Sequence, residues 1–449
     1  MKFDIKLPRE AENIIERLNQ YGYEAYVVGG CVRDSILGRT PNDWDICTSA
    51  TPNKVIEIFA SYEVIPTGLK HGTVTILVDH TPFEVTTFRI DGDYSDSRRP
   101  DTVAFTTDIV KDLSRRDFTI NAMAYNPKSG LVDPFGGLQD IQNQVIRCVG
   151  KAQERFKEDA LRILRAIRFA TQLDFHIDLS TSAAILELYT TLQNISAERI
   201  TSESNKMIVC ASFYMNFWYF RYVFVFIIPE LEQCLGFDQQ HPYHCHSLYR
   251  HIAFALGYKP SDIITKLTLL FHDIGKPQCQ VFDDDGIAHY YEHPIIGAKL
   301  ADERMRAMKY DNDTREKVVE LISYHDATLE ATPKHIKRWL NKIGEEQFRR
   351  LLDVKEADIY AQDPAYYLER MEKITNIRLR LDEVLASEQC FKLKDLAVNG
   401  NDLMAMGIPE GRQVGKILNW LLDMVINGEV DNDRDILLNL VITKKGNKI

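Results

Sequence analysis

The sequence predicts an α+β head followed by a mostly α-helical remainder, and three observations carry that expectation. Between 24 and 150, short β-type runs (AYVVGG, TVTILV, FEVTTF) alternate with helical ones (TPNKVIEIFAS, INAMAY). From 152 to 205 nearly every segment is helix-periodic and turn residues become scarce. Nine of the twelve histidines fall between His241 and His335, which marks a separate module with its own chemistry. At 449 residues the chain is long enough for about three compact units. The expected boundaries are a head at 1–150, a helical neck at 151–235, the histidine-rich domain at 236–345 and a helical body and tail at 346–449.

Composition narrows the class. Hydrophobic residues at 45% and charged residues at 27% exclude wholesale disorder and a multi-span membrane protein. A net charge of −11 argues against a histone-like binder, although nucleic acid responds to the charge of one face and not of the whole chain. Eight cysteines with no CxxC pair give neither a zinc framework nor a secreted disulfide scaffold, so a reducing cytoplasm is expected. The start, MKFDIKLPREAENIIERL, carries Asp4, Glu10 and Glu12 and reads as an amphipathic helix, not a signal peptide. The stretch 207–228 is long enough to cross a bilayer, but Asn216 and Arg221 interrupt it, so a buried or partner-facing aromatic helix pair is expected and no membrane contact.

In the head, residues 26–48 (YVVGGCVRDSILGRTPNDWDICT) run from a strand into Gly29-Gly30, then a helix, then a second strand expected to carry Asp43 and Asp45. Side chains at i and i+2 of a strand share one face, so these two aspartates can hold the same hard cation through oxygen ligands. Two-metal phosphoryl or nucleotidyl transfer needs that arrangement. The turn at Gly30 offers bare backbone N–H groups to phosphate, and Arg33 adds a bidentate donor.

The helix RFKEDALRILRAIRFA, 155–170, places Asp159 and Arg162 three apart on one face, with Arg165 and Arg168 continuing up nearly the same side. A carboxylate accepts and a guanidinium donates, so the pair matches a base edge that shows an amine donor beside a ring-nitrogen acceptor. Cytosine and adenine show that edge; guanine and uracil show its inverse. Farther on, HCHSLYRHIAFAL, LTLLFHDIGKP, HYYEHP and LISYHD place His251, His272, Asp273, His293, His325 and Asp326 at helix ends, a donor set that suits Mn, Fe, Ni or Mg. A basic run at 333–352 (Lys334, Lys337, Arg338, Lys342, Arg349, Arg350) and the turn before Arg412 and Lys416 are candidate phosphate contacts.

The order GG-x-x-RD, GR, D-x-D within 26–48 resembles the nucleotidyltransferase superfamily of DNA polymerase beta, and within it the class II tRNA nucleotidyltransferases and bacterial poly(A) polymerases. FEVTTFRIDGDYSDSRRPDTVAF at 83–105 is similar to that family's third-carboxylate strand and flexible loop, which implies a catalytic role for Glu84. SRRDFTINAMA at 114–124 resembles its RRD motif and implies that Arg116 holds the triphosphate; Glu158, Asp159 and Arg162 match its EDxxR nucleotide-selecting motif. HDIGKP, with histidines 21 residues before and after, resembles the HD phosphohydrolase superfamily. That likeness points first to His272 and Asp273, then His251 and Asp326, with His293 and His325 joining only if more than one metal is held; His244, His246 and His289 compete.

Together these resemblances imply a polymerase-beta-like head, template-independent addition of C, C and A to tRNA 3′ ends from CTP and ATP, and Mg²⁺ at Asp43 and Asp45. They also imply a second divalent metal, Mg²⁺ or a transition metal, in the HD domain. An A-adding or CC-adding enzyme, a poly(A) polymerase, and a phosphohydrolase with a nucleotide-binding head remain the alternatives, and monomer and homodimer are both open.

Overall fold

The structure is a computed structural model that describes residues 5–92, 102–259, 262–387 and 390–446. It divides into two compact units, Met1–Pro229 and Glu230–Ile449. The expected head and neck therefore form one unit, and the histidine-rich region and the tail form another.

The first unit is built on a seven-stranded mixed sheet with strands β1 (Ala25–Val28), β2 (Ile46–Thr48), β3 (Glu63–Gly68), β4 (Thr73–Val78), β5 (Thr81–Thr87), β6 (Ala124–Asn126) and β7 (Gly130–Val132). Their order is β3-β4-β5-β2-β1-β6-β7, with β2 and β5 parallel and the other neighbours antiparallel. All four residues of β1 are buried, which is why AYVV reads as an unbroken apolar run and not as an alternating one. Tyr26, Val28, Cys47, Phe88, Leu113, Ala122, Ala124 and Val149 pack as one core against the sheet. The N-terminal helix Arg9–Gln20 buries Ala11, Ile14, Ile15 and Leu18, the amphipathic stripe expected of it.

Three expectations need correction here. The strand expected to carry Asp43 and Asp45 begins only at Ile46, so both aspartates sit in the extended segment leading into β2. The helix expected over 155–170 is two helices, Ala152–Glu158 and Leu161–Leu173. Asp159 breaks it: its backbone is extended (φ −139°, ψ 105°), and its carboxylate accepts the Leu161 N–H at 3.0 Å, the competing local bond that aspartate offers a helix start. The third concerns the boundary at 345. It falls inside the Pro333–Tyr360 helix, beside a bend at Gly344 (φ +78°), and the helix runs on into the histidine centre.

The aromatic stretch forms two short helices, Phe213–Tyr219 and Arg221–Ile227. Phe213, Phe217 and Phe224 pack ring to ring at 5.0–5.5 Å between centroids, while Met215, Trp218, Tyr219 and Tyr222 face outward. Among the described residues no helix is long and apolar enough to cross a membrane. The second unit is helical, and Leu403, Leu421, Leu422, Leu437 and Val441 centre a separate apolar cluster in its tail.

Candidate active site and metal centre

In the head, the backbone carbonyl of Asp45 accepts the Val28 N–H at 2.9 Å, which ties the aspartate segment to β1. The parallel register pairs Ile46 with Val85, so Asp45 lies beside Glu84 of the neighbouring strand. Desolvation, then the charges of Asp43 and Glu84, push the Asp45 carboxyl up to about 6, with Arg116 opposing them. A carboxyl that burial and neighbouring acids hold near neutrality lacks a compensating cation, and the oxygen ligands fit a hard divalent ion. A cavity of about 200 Å³ is lined by Asp45, Glu84, Arg89, Arg115 and Arg116. Anion-binding and cation-binding groups therefore face the same space.

Gly29 (φ +82°) turns the chain out of β1 into the Gly30–Ile36 helix. A Cβ there would lie 3.2 Å from the Arg116 guanidinium, so both the backbone and the space call for glycine. Arg116 keeps a buried Nε without a hydrogen-bond partner. Arg33 differs from expectation: it is buried, with Nε and Nη2 on Asp34 at 2.8 and 2.9 Å and Nη1 on Asn121 at 2.7 Å, so its donors already have protein acceptors.

The Asp159 and Arg162 side chains have other partners than each other. Asp159 meets Arg199 at 3.1 Å, whereas Arg162 binds Glu158 at 2.5 Å and the Arg115 and Arg155 carbonyls at 3.1 Å each. Arg165 holds Asp117 at 2.8 Å; burial favours the neutral acid there, but Arg165 and Arg162 outweigh it and bring the Asp117 carboxyl down to about 2. Arg168 binds Glu203 at 2.6 Å. The guanidinium carbons of Arg33, Arg165 and Arg168 stand 5.0, 5.3 and 4.0 Å from the centre of the Phe169 ring. Phe169, Arg199 and Glu203 were not legible as site residues, because spacing along one helix says nothing of the partners that fold onto it. The loop segment DGDYSDSRRP falls, from Asp93 onward, outside the described residues.

The helical unit brings the histidines together more tightly than the sequence implied. One group is His251, His272, Asp273 and Asp358; a second is Asp273, His293 and His325. Asp358, not Asp326, completes the first, which corrects the expected set. Asp326 follows the C-terminal end of the Asn312–Tyr324 helix and lines the adjoining cavity of about 300 Å³, while Asp358 arrives from beyond the Gly344 bend, 3.0 Å from His251. Asp273 faces both groups, with Oδ2 3.3 Å from His251 and His272 and Oδ1 3.4 and 3.5 Å from His293 and His325. His246 instead stacks on Phe254, His289 pairs with Asp283, and His244 lies 3.4 Å from Lys276.

Hydrogen bonding fixes the tautomers. The Nδ1 atoms of His251, His272, His293 and His325 meet the carbonyls of Ala361, Leu269, Tyr290 and Ile322 at 3.1, 2.8, 2.5 and 2.7 Å. A carbonyl only accepts, so each Nδ1 donates and each neutral ring turns its Nε2 lone pair inward. The Nε2 atoms then face each other at 3.3 Å (His251, His272) and 3.0 Å (His293, His325), an approach that needs a shared cation or proton; at the first pair burial opposes the positive charge, but Asp273 and Asp358 outweigh it and raise His272 to about 10. Imidazole and carboxylate donors so arranged fit divalent metals.

Gly275 of the HDIG run has an ordinary negative φ, but a Cβ on it would lie 2.4 Å from the His293 carbonyl oxygen and 2.7 Å from the Gly297 nitrogen. Gly275→Ala is expected to destabilise the protein by about 1–3 kcal/mol through overpacking against the His293–Ala307 helix, read as a lower denaturation midpoint with unchanged slope.

Elsewhere the basic run is partly neutralised: Arg349 pairs with Glu345 and Asp382, and Arg350 with Glu346 and Asp262. Lys342 lies 4.0 Å from the Tyr324 ring.

A mixed sheet that sets carboxylates against a row of arginines, followed by Asp159 and a helix bearing Arg162, Arg165 and Arg168, defines a nucleotidyltransferase. Residues 25–147 match the family described as Poly A polymerase head domain, 174–217 match Probable RNA and SrmB- binding site of polymerase A, and 295–441 match tRNA nucleotidyltransferase domain 2 putative. The CCA-adding enzyme of Lactobacillus johnsonii is 32% identical over 432 residues, 95% of each chain. That of Geobacillus thermodenitrificans is 50% identical over 200 residues, 44% of this chain and about half (49%) of that one. The crystal structure of the Bacillus stearothermophilus CCA-adding enzyme in complex with CTP has a TM-score of 0.68 at 29% identity and covers 98% of both chains. The chain belongs to the CCA-adding enzyme family.

Proposed function

We propose that the head carries out the family's template-independent addition of C, C and A to the 3′ end of tRNA, with Asp43, Asp45 and Glu84 as the cation-holding carboxylates. The 3′ hydroxyl gives its proton to water and attacks the α-phosphorus of CTP or ATP; the new P–O bond forms as the bond to pyrophosphate breaks. Divalent ions held by these carboxylates supply the positive charge that this exchange of oxyanions requires. Arg116, which lines the cavity, binds the triphosphate. Gly30 and Arg33 shape the turn beside it, and Arg165 and Arg168 close the nucleotide pocket around Phe169. The observation that carries this reading is that Asp45, raised to about 6, and Glu84 line one cavity with Arg116.

Asp159 and Arg162 read the base. The amine of cytosine or adenine takes the place of Arg199 at Asp159, and the ring nitrogen competes with Glu158 for Arg162. A buried polar group left unmatched costs about 1–3 kcal/mol, so Asp159→Ala and Arg162→Ala should each lose about ten- to a hundredfold in preference for CTP and ATP over UTP and GTP. Competition among the four nucleotides on a defined tRNA end measures this, and unchanged selectivity would leave the two residues a structural role alone. Supplying tRNAs that lack one, two or three 3′ residues with CTP, ATP or both separates full CCA addition from A-only or CC-only addition.

A second reading concerns the helical unit, and the facing imidazole Nε2 atoms favour it. His251, His272, Asp273 and Asp358 hold one divalent metal, and Asp273, His293 and His325 a second, for hydrolysis of phosphoesters.

A further inference from the structure

Asp112 has no part in the chemistry above, yet it is fully buried and accepts four hydrogen bonds beside the head cavity. Its Oδ1 takes the Arg89 backbone N–H at 3.2 Å and the Nε and Nη2 of Arg115 at 3.1 and 2.8 Å; its Oδ2 takes Arg116 Nη2 at 3.3 Å. We infer that Asp112 is a positioning residue for nucleotidyl transfer, whose charge holds Arg116 off Asp45 and Glu84 and so keeps those carboxylates open to cations. The inference rests on the head being the transfer site.

The asymmetry between the two arginines carries it. Arg115 has a second acid, Asp91, at 3.4 Å, and stays compensated without Asp112. Among the described residues Arg116 is ion-paired with Asp112 alone. Gly29 walls it on one side, with its Cβ position 3.2 Å from the guanidinium. The cavity that Arg116 lines also holds Asp45 and Glu84. A largely buried guanidinium that loses its one ion pair among the described residues must find another, because an unpaired buried charge is costly. Asp45 and Glu84 line the same cavity and the charge of Asp45 already acts on Arg116, so a guanidinium seated there takes the oxygens a cation needs. Asp112 thus acts through Arg116 and does not itself touch the nucleotide.

The test is Mn²⁺ binding followed by electron paramagnetic resonance with neither nucleotide nor tRNA present, so that neither turnover nor the triphosphate contact of Arg116 enters; the head's share is the binding that Asp45→Ala removes. Asp112→Asn should raise the Mn²⁺ concentration for half-saturation of that share about tenfold or more, as one misplaced neighbouring charge shifts a carboxylate's ligand affinity. In an Arg116→Gln background the same change should add no further shift. No shift in Asp112→Asn, or an equal shift with and without Arg116, overturns the inference. If Asp112→Asn alone does not fold, the double variant, which has no stranded guanidinium, is compared with Arg116→Gln; a higher Mn²⁺ requirement in the double variant overturns it. If Asp45→Ala removes no Mn²⁺ binding, the head assignment itself is refuted, whatever Asp112 does.

Discussion

Asp43→Ala and Asp45→Ala are each expected to lower nucleotide addition by about a thousandfold or more while leaving tRNA binding largely intact. Metal ions contribute several kcal/mol of charge stabilisation to such a transfer, and each 1.4 kcal/mol is tenfold in rate. The two residues lie in an exposed segment ahead of β2 and carry no core packing, so the loss should come without a fall in melting temperature. The Asp45 carboxyl, raised to about 6, adds a pH signature. Above that value it is ionised and free for a cation; as pH falls through it, protons compete, and the Mg²⁺ needed for half-maximal rate should climb by about tenfold per unit. Primer extension on a tRNA lacking its 3′ adenosine, run from pH 5 to 8 at several Mg²⁺ concentrations, reads both effects. Near-normal extension by either variant would displace the site.

Asp273→Ala should abolish metal-dependent phosphoester hydrolysis and leave CTP and ATP incorporation unchanged. Asp273 is the one residue common to both metal groups, so its loss weakens both together, whereas Asp358→Ala touches only the first and His325→Ala only the second. The single variants therefore distinguish a two-ion centre from a one-ion centre. Mn²⁺ bound per chain, counted by electron paramagnetic resonance, should fall by about one for Asp358→Ala and by about two for Asp273→Ala. Removing Asp273 also strands Lys276, whose Nζ lies 2.7 Å from it, so Asp273→Asn is the gentler partner variant. Hydrolysis that survives in a folded Asp273→Asn chain would exclude this centre as its source.

Much of this was legible before folding, for physical reasons that differ by segment. The buried run AYVV, the Gly-Gly turn and the paired aspartates are local signals, and the structure keeps them together; it shifts only the strand boundary. The histidines were readable as a cluster because three of them, His272, His293 and His325, sit at helix ends, and His251 lies in the first turns of its helix. Asp358 was not, since it comes from a helix that the expected boundary at 345 had assigned to another unit, and nothing near it in sequence marks it as a ligand. Asp159 shows the opposite failure. A three-residue spacing pairs it with Arg162 only if the helix is continuous, and the aspartate itself ends one helix and starts the next. Partners contributed by later helices, such as Arg199 and Glu203, follow from tertiary packing that a period of 3.6 residues does not encode.

The arginines gathered around Phe169 bear on the timing of the reaction. Arg33, Arg165 and Arg168 each already have an acidic counterpart, in Asp34, Asp117 and Glu203. If these arginines close the nucleotide pocket as proposed, that pocket is neutralised in advance: it does not fly apart when it empties, and it grips an arriving anion only by the margin over the acid it displaces. Such a pocket trades residence time for exchange. An enzyme that must release one kind of nucleotide's leaving group and admit a different base a moment later, on the same growing end, is served by quick departure more than by tight holding.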